Sequence, residues 1–115
     1  MYFNQGSDRI MCVYRMDELT EKIRPIAESY NIDKVYLFGS YARGEAIEES
    51  DIDLIVNAEK LKGLKFFGFY EDLKEAFQKK VDLITEEQIN RSRNNPLYQR
   101  FIEELETDRK VIYSL

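Results

Sequence analysis

Three aspartates stand where a folded chain seldom tolerates charge. Asp51 and Asp53 alternate with Ile52 and Leu54 at the start of the run DIDLIVN, and Asp82 lies inside VDLIT. Alternate residues of a strand share a face, so Asp51 and Asp53 are neighbours, roughly 6.6 Å apart along the backbone. Two unit charges at that range repel by about 2.5 kcal/mol at an effective dielectric of 20. Burying either one unpaired costs several kcal/mol more. No lysine or arginine lies within seven residues of Asp51, and Glu48 and Glu49 add charge of the same sign. A bound divalent cation would relieve this repulsion. Oxygen ligands without nearby sulfur or imidazole suit magnesium or manganese. If the third strand lies beside the second, Asp82 joins the set. Three carboxylates on adjacent strands can hold two ions about 3.5–4 Å apart, which activate a hydroxyl and stabilise the leaving oxygen of an in-line phosphoryl-type displacement.

Upstream of these carboxylates an apolar run, KVYLF, ends at Gly39-Ser40. A glycine at a strand-to-helix junction lets the backbone approach a ligand closely. The helix N-terminus that follows presents free N–H groups and partial positive charge, a seat for phosphate. Ser40 can add its hydroxyl. Gly39 and Gly44 have the GxxxxG spacing of a P-loop, but Glu45 and Ala46 follow where that motif needs Lys and Ser or Thr. A glutamate facing a triphosphate is repulsive, so the P-loop reading fails. Taken singly, a Gly-Ser cap or a DxD at a strand edge is ordinary. Together, with ten residues between Ser40 and Asp51 and a third aspartate in the next strand, they point to a nucleotide and metal site.

The 115-residue chain contains no histidine and one cysteine, Cys12. Ser-His-Asp and Cys-His nucleophile systems and the HExxH zinc site are thereby excluded. Catalysis must rest on carboxylates, hydroxyls, lysine or arginine with a hard metal ion. The net charge of −5 disfavours general nucleic-acid binding, which depends on neutralising phosphates. No apolar run approaches the roughly 18 residues of a membrane span. Residues 1–15 lack the apolar core of a signal peptide. A cytoplasmic, reducing setting is expected.

The elements that must position these residues follow from pattern. Asp17 to Tyr30 reads as a helix through Leu19, Ile23, Ile26, Ala27 and Tyr30, with Pro25 expected to kink or restart it. Lys34–Phe38 is a strand, Ser40 to about Glu45 a brief helix, Glu45–Ser50 an acidic loop and Asp51–Asn57 a second strand. Leu64–Lys79 is a long helix with Phe66, Tyr70, Leu73 and Phe77 on one face. Gly68 should weaken it by about 1 kcal/mol. The aromatics at 66, 67 and 69 read as core. Lys80–Thr85 is a third strand. Asn95-Pro96 starts a last helix, with Leu97, Phe101, Ile102 and Leu105 as its apolar face, and KVIYSL closes the chain as an edge strand. IMCVY, residues 10–14, is a candidate extra strand or packed arm, and Met11 and Met16 are alternative starts. The division is an arm over residues 1–15, with no assigned role, and one domain over 16–115.

The string GSYARGEAIEESDIDL resembles the signature of the DNA polymerase β-type nucleotidyltransferase superfamily. More closely, LFGSYARGEA, SDIDLIV, KKVDLIT, FIEELE and KVIY, in that order, resemble the minimal nucleotidyltransferase (MNT) family over residues 17–115. The resemblance implies a small α/β (α+β) fold, a mixed β-sheet with helices packed on it. It implies transfer of a nucleoside monophosphate, usually AMP from ATP, with release of pyrophosphate. By position, Gly39 and Ser40 would hold the triphosphate, Asp51 and Asp53 would bind two magnesium ions (or manganese), and Asp82 would complete the site and help deprotonate the acceptor hydroxyl. Arg43 matches the family's arginine, either as a phosphate contact or as a pair for the acidic loop. A bare catalytic module suggests an acceptor that brings its own binding surface. The resemblance points to a HEPN-domain ribonuclease toxin, adenylylated on tyrosine, with this chain as the antitoxin. Two other readings stand beside it: a non-catalytic antitoxin that neutralises by binding, and nucleotidyl transfer to a small molecule such as an aminoglycoside. Whether the chain works as a homodimer is left open.

Overall fold

The computed structural model describes residues 13–115; the expectations for Met11, Cys12 and most of the 10–14 run lie outside the described residues. Helix α1 (Met16–Ser29) buries Leu19, Ile23 and Ala27 at helical spacing. It runs unbroken through Pro25, so the helix does not restart there. Pro25 is exposed, so the carbonyl deprived of its N–H partner faces water and the apolar stripe is undisturbed. Strand β1 (Lys34–Phe38) leads directly into the five-residue helix α2 (Gly39–Arg43). Strand β2 (Ile52–Asn57), helix α3 (Leu64–Phe77) and strand β3 (Val81–Thr85) follow.

A helix that pattern reading did not anticipate, α4 (Glu86–Ser92), starts at once after β3. Its signal was present in the sequence as a capping box. The Thr85 hydroxyl accepts the Gln88 backbone N–H at 3.0 Å, and the Gln88 side chain accepts the Thr85 N–H at 2.9 Å. Asn95 caps a short 3-10 turn, Pro96–Tyr98, through its side-chain oxygen and the Leu97 N–H. Helix α5 (Gln99–Asp108) and strand β4 (Lys110–Ser114) complete the chain.

The sheet order is β3-β2-β1-β4, with β1 antiparallel to both β2 and β4, and β2 parallel to β3. Only the β2-α3-β3 crossover permits that parallel pair. The mixed sheet agrees with the expected fold class. Helices α1 and α3 cover one face, where Phe69, Leu73 and Phe77 pack with Val35, Leu37, Ile52 and Leu54. Phe69 and Phe77, not Phe66 or Tyr70, are the fully buried aromatics of α3, while Phe67 is exposed. Gly68 has a packing use: a Cβ there would lie 2.9 Å from the Tyr30 hydroxyl, which bonds Asp72 at 2.8 Å. Tyr14 joins this core, its ring edge-on to Phe77 and its hydroxyl donating to the Phe77 carbonyl at 2.7 Å. Helices α4 and α5 cover the other face with Ile89, Ile102 and Leu105 against Phe38 and Ile55. Leu97 and Phe101, expected on the buried face of the last helix, are largely exposed. Leu97 belongs to the 3-10 turn, whose different pitch rotates it out of the α5 stripe.

Candidate active site

The register brings the expected residues to one end of the sheet. Phe38 of β1 pairs with Asp53 of β2, and Asp53 pairs with Asp82 of β3. Gly39, Asp53 and Asp82 therefore meet across three strands, although Asp82 is far from Gly39 in sequence. Asp51 sits just before β2 begins. The register sets the Asp53 and Asp82 carboxyl groups side by side on neighbouring strands.

Gly39 is dictated by this arrangement twice over. Its φ is +73°, a region that favours glycine. A Cβ at position 39 would also lie 2.2 Å from Asp53 Oδ2. The turn and the carboxyl group are thus fitted to each other, with the space of one absent methyl group occupied by a carboxyl oxygen.

The electrostatics are those of a crowded anionic site. The Asp53 carboxyl is pushed up to about 7, first by burial, then by its hydrogen bond to Asp82 and the charges of Asp82 and Asp51; Arg43 opposes the shift. Tertiary structure supplies two cations that the neighbouring sequence lacks. Lys80 Nζ approaches Asp51 Oδ2 at 3.8 Å. Lys80 is well exposed and Asp51 partly so, so the pair contributes at most about 1 kcal/mol. Arg43 pairs with Glu45 at 3.1 Å and with Asp108 at 2.7 Å. Of the two roles expected for Arg43, the pairing with the acidic loop is the one observed, and Asp108 at the end of α5 was not foreseen. That contact ties α2 to α5. The acidic loop is itself held by Lys79, which donates to the Glu48 carbonyl, and by Ser50, whose hydroxyl accepts the Ile47 N–H at 2.8 Å.

Among the described residues, no three metal-ligating side chains converge on a single point as they stand. The donor chemistry nevertheless fits a hard divalent cation. Asp53 holds a proton up to near-neutral pH because burial, and then the neighbouring carboxylates, disfavour its charge, and a cation would take that proton's place. The oxygen donors are carboxylates throughout, the set that magnesium and manganese prefer.

Residues 21–114 match the sequence profile of the family described as polymerase beta, nucleotidyltransferase. The chain belongs to that family. The nucleotidyltransferase is 38% identical, over 77% of its own length and 92% of the relative's, to a Methanocaldococcus jannaschii protein named provisionally as a protein adenylyltransferase. It is 37% identical to protein adenylyltransferase MntA of Thermococcus cleftensis, over 57% of this chain and 68% of that one. Among solved structures, it superposes on a chain of a toxin-antitoxin crystal structure with AMP-PNP at a TM-score of 0.61 and 27% identity, covering 84% of this chain and 73% of that one. The protein is a nucleotidyltransferase enzyme with the mixed-sheet fold that its motifs implied.

Proposed function

We propose that this nucleotidyltransferase is a magnesium-dependent protein adenylyltransferase. It moves AMP from ATP to a hydroxyl, in the simplest case a tyrosine, of a partner protein, and acts as antitoxin to a HEPN ribonuclease toxin in the cytoplasm. The observation that carries the chemistry is the row of Asp53 and Asp82 closed against Gly39 at one sheet end. The choice of a protein acceptor is supported by relatives named as protein adenylyltransferases and by the likeness to a toxin-antitoxin structure. The HEPN partner and the tyrosine rest on the family resemblance of the motifs.

In this reading the Gly39 backbone and the Ser40 hydroxyl hold the β- and γ-phosphates. Asp51, Asp53 and Asp82 would hold one or two magnesium ions, and manganese could serve. When bound, the metal offsets the charge of phosphates and carboxylates and polarises the reacting phosphoryl group. Asp82 is exposed, so an acceptor hydroxyl can reach it. Its carboxylate takes the hydroxyl proton. The freed oxygen lone pair forms a bond to the α-phosphorus. The bond from the α-phosphorus to the bridging oxygen breaks, and pyrophosphate leaves with that electron pair. No histidine is needed as base. Arg43 would contact phosphate only by exchanging one of its present carboxylate partners.

The test combines ATP labelled at the α-phosphorus, magnesium and the HEPN partner with the wild-type chain or an Asp51→Asn, Asp53→Asn variant. Label on the partner with wild-type only is the expected result. Neutralisation of the partner with no label from either chain would replace catalysis by simple binding. Label appearing on a small molecule instead, such as an aminoglycoside, would redirect the assignment.

A further inference from the structure

The carboxylates share their face of the sheet with an apolar groove that the transfer chemistry does not use. Register fixes the relation between the two. Phe38, Asp53 and Asp82 form one row across β1, β2 and β3, and Tyr36, Ile55 and Ile84 form the next row on the same face. The rows are two residues apart, roughly 6.6 Å. Ile84 lines a cavity of about 210 Å³ between α4 and α5, together with Ser92, Tyr98 and Phe101. Phe101 also meets Phe38 edge-on, with ring centroids 6.3 Å apart. The groove wall thus reaches the residue that immediately precedes Gly39.

Tyr98 and Phe101 are each 46% exposed. Ring surface is therefore left for a ligand. Gln88 lines the same cavity. Its side-chain oxygen is anchored by the Thr85 N–H at 2.9 Å, which leaves the amide NH2 to donate elsewhere. The cavity is smaller than the roughly 300–1,000 Å³ of pockets that enclose a whole drug-sized ligand. It suits one flat ring system.

We propose that this groove receives the base of the nucleoside triphosphate. The inference rests on the adenylyl-transfer reading above. A triphosphate that starts at Gly39-Ser40 on β1 and presents its α-phosphate to Asp53 and Asp82 runs across the sheet toward β3. Its nucleoside then emerges on the β3 side, where the groove opens one row away, with the ribose bridging the gap. Aromatic walls hold bases by stacking, which tolerates any pattern of base hydrogen bonds. Affinity should therefore follow ring area, with purines above pyrimidines.

Calorimetric titration of the full chain tests this with three probes, ATP, UTP and inorganic tripolyphosphate, each with magnesium. Wild-type chain should bind ATP more tightly than UTP. Phe101→Ala removes an exposed ring and Ser92→Leu fills the groove, and unchanged melting temperatures would establish that both variants fold. Each variant should bind ATP roughly tenfold more weakly and tripolyphosphate as before. Equal losses for ATP and tripolyphosphate would overturn the assignment, because the damage would then lie at the carboxylates. So would unchanged ATP binding with a raised KM for the protein acceptor, which would give the groove to the acceptor's ring. A wild-type chain that binds no tripolyphosphate would sink the transfer reading itself, and the base site with it.

Discussion

The two faces of one sheet do different work with the same strands. On the α1 and α3 face, every inward position of β2, namely Ile52, Leu54 and Val56, is apolar and buried. On the α4 and α5 face the same strand offers Asp53 and then Ile55, and β3 offers Asp82 and then Ile84. The first face is a seamless core. The second is a core for half its length and an anionic site for the other half. Stability is therefore concentrated on one face, which frees the other to carry mutually repelling carboxylates that no folding argument would place together. Burial alone cannot produce such a site, because it opposes it.

Four measurements would break or sharpen that contrast, the largest effect first. On the packed face, Phe69→Ala removes a fully buried ring and should cost about 3–5 kcal/mol of stability. Urea unfolding checks it; a loss below about 1 kcal/mol would deny that this face carries the stability. On the active face, Asp53→Asn should lower adenylyl transfer by roughly 10³-fold while leaving the protein folded. Labelling from α-phosphorus-labelled ATP, read beside circular dichroism, separates the two effects.

The same substitution should reverse sign in a stability measurement. The folded-state pKa of Asp53 lies above its ordinary value, at about 7. Its favourable contribution is therefore present at low pH and lost as pH rises from about 4 to about 7. In EDTA, wild-type chain should lose stability over that window relative to Asp53→Asn, so the variant should melt higher at pH 8, by a few degrees. Identical curves for the two proteins would mean that Asp53 is not strained by its neighbours, and added magnesium should narrow the gap. The smallest effect belongs to the link between α2 and α5. Arg43→Ala leaves Asp108 without its 2.7 Å partner and should cost about 1 kcal/mol by urea unfolding. A much larger loss of transfer activity than of stability would instead give Arg43 a phosphate to hold.

Much of this molecule could be read from the chain alone because the informative signals are local. Strand β1 is legible to the residue in KVYLF, and β3 to within one residue, since short apolar runs bounded by polar residues leave little freedom. The start of the last helical segment followed from Asn95-Pro96. Helix α4 escapes a periodicity reading although Thr85 and Gln88 form a capping box, because with only Ile89 buried it carries almost no apolar stripe. Pro25 does not restart α1, because local propensity says nothing about which side of a helix faces water.

The sequence by itself determined the inventory of the candidate site. Gly39, Ser40, Asp51, Asp53 and Asp82 stand out because charge inside apolar runs and glycine at a strand end are anomalies visible without coordinates. Only the tertiary structure decided how those groups meet. Parallel pairing of β2 with β3 sets Asp82 beside Asp53, and burial of Asp53 together with that neighbour raises its carboxyl to about 7. It also decided that Asp108 holds Arg43 from 65 residues away and that Lys80 flanks Asp51. The reason is physical. A residue's type and local spacing are written in the chain, but pKa values and ion pairs depend on distances in space, and those are set by which strands pair and in what register.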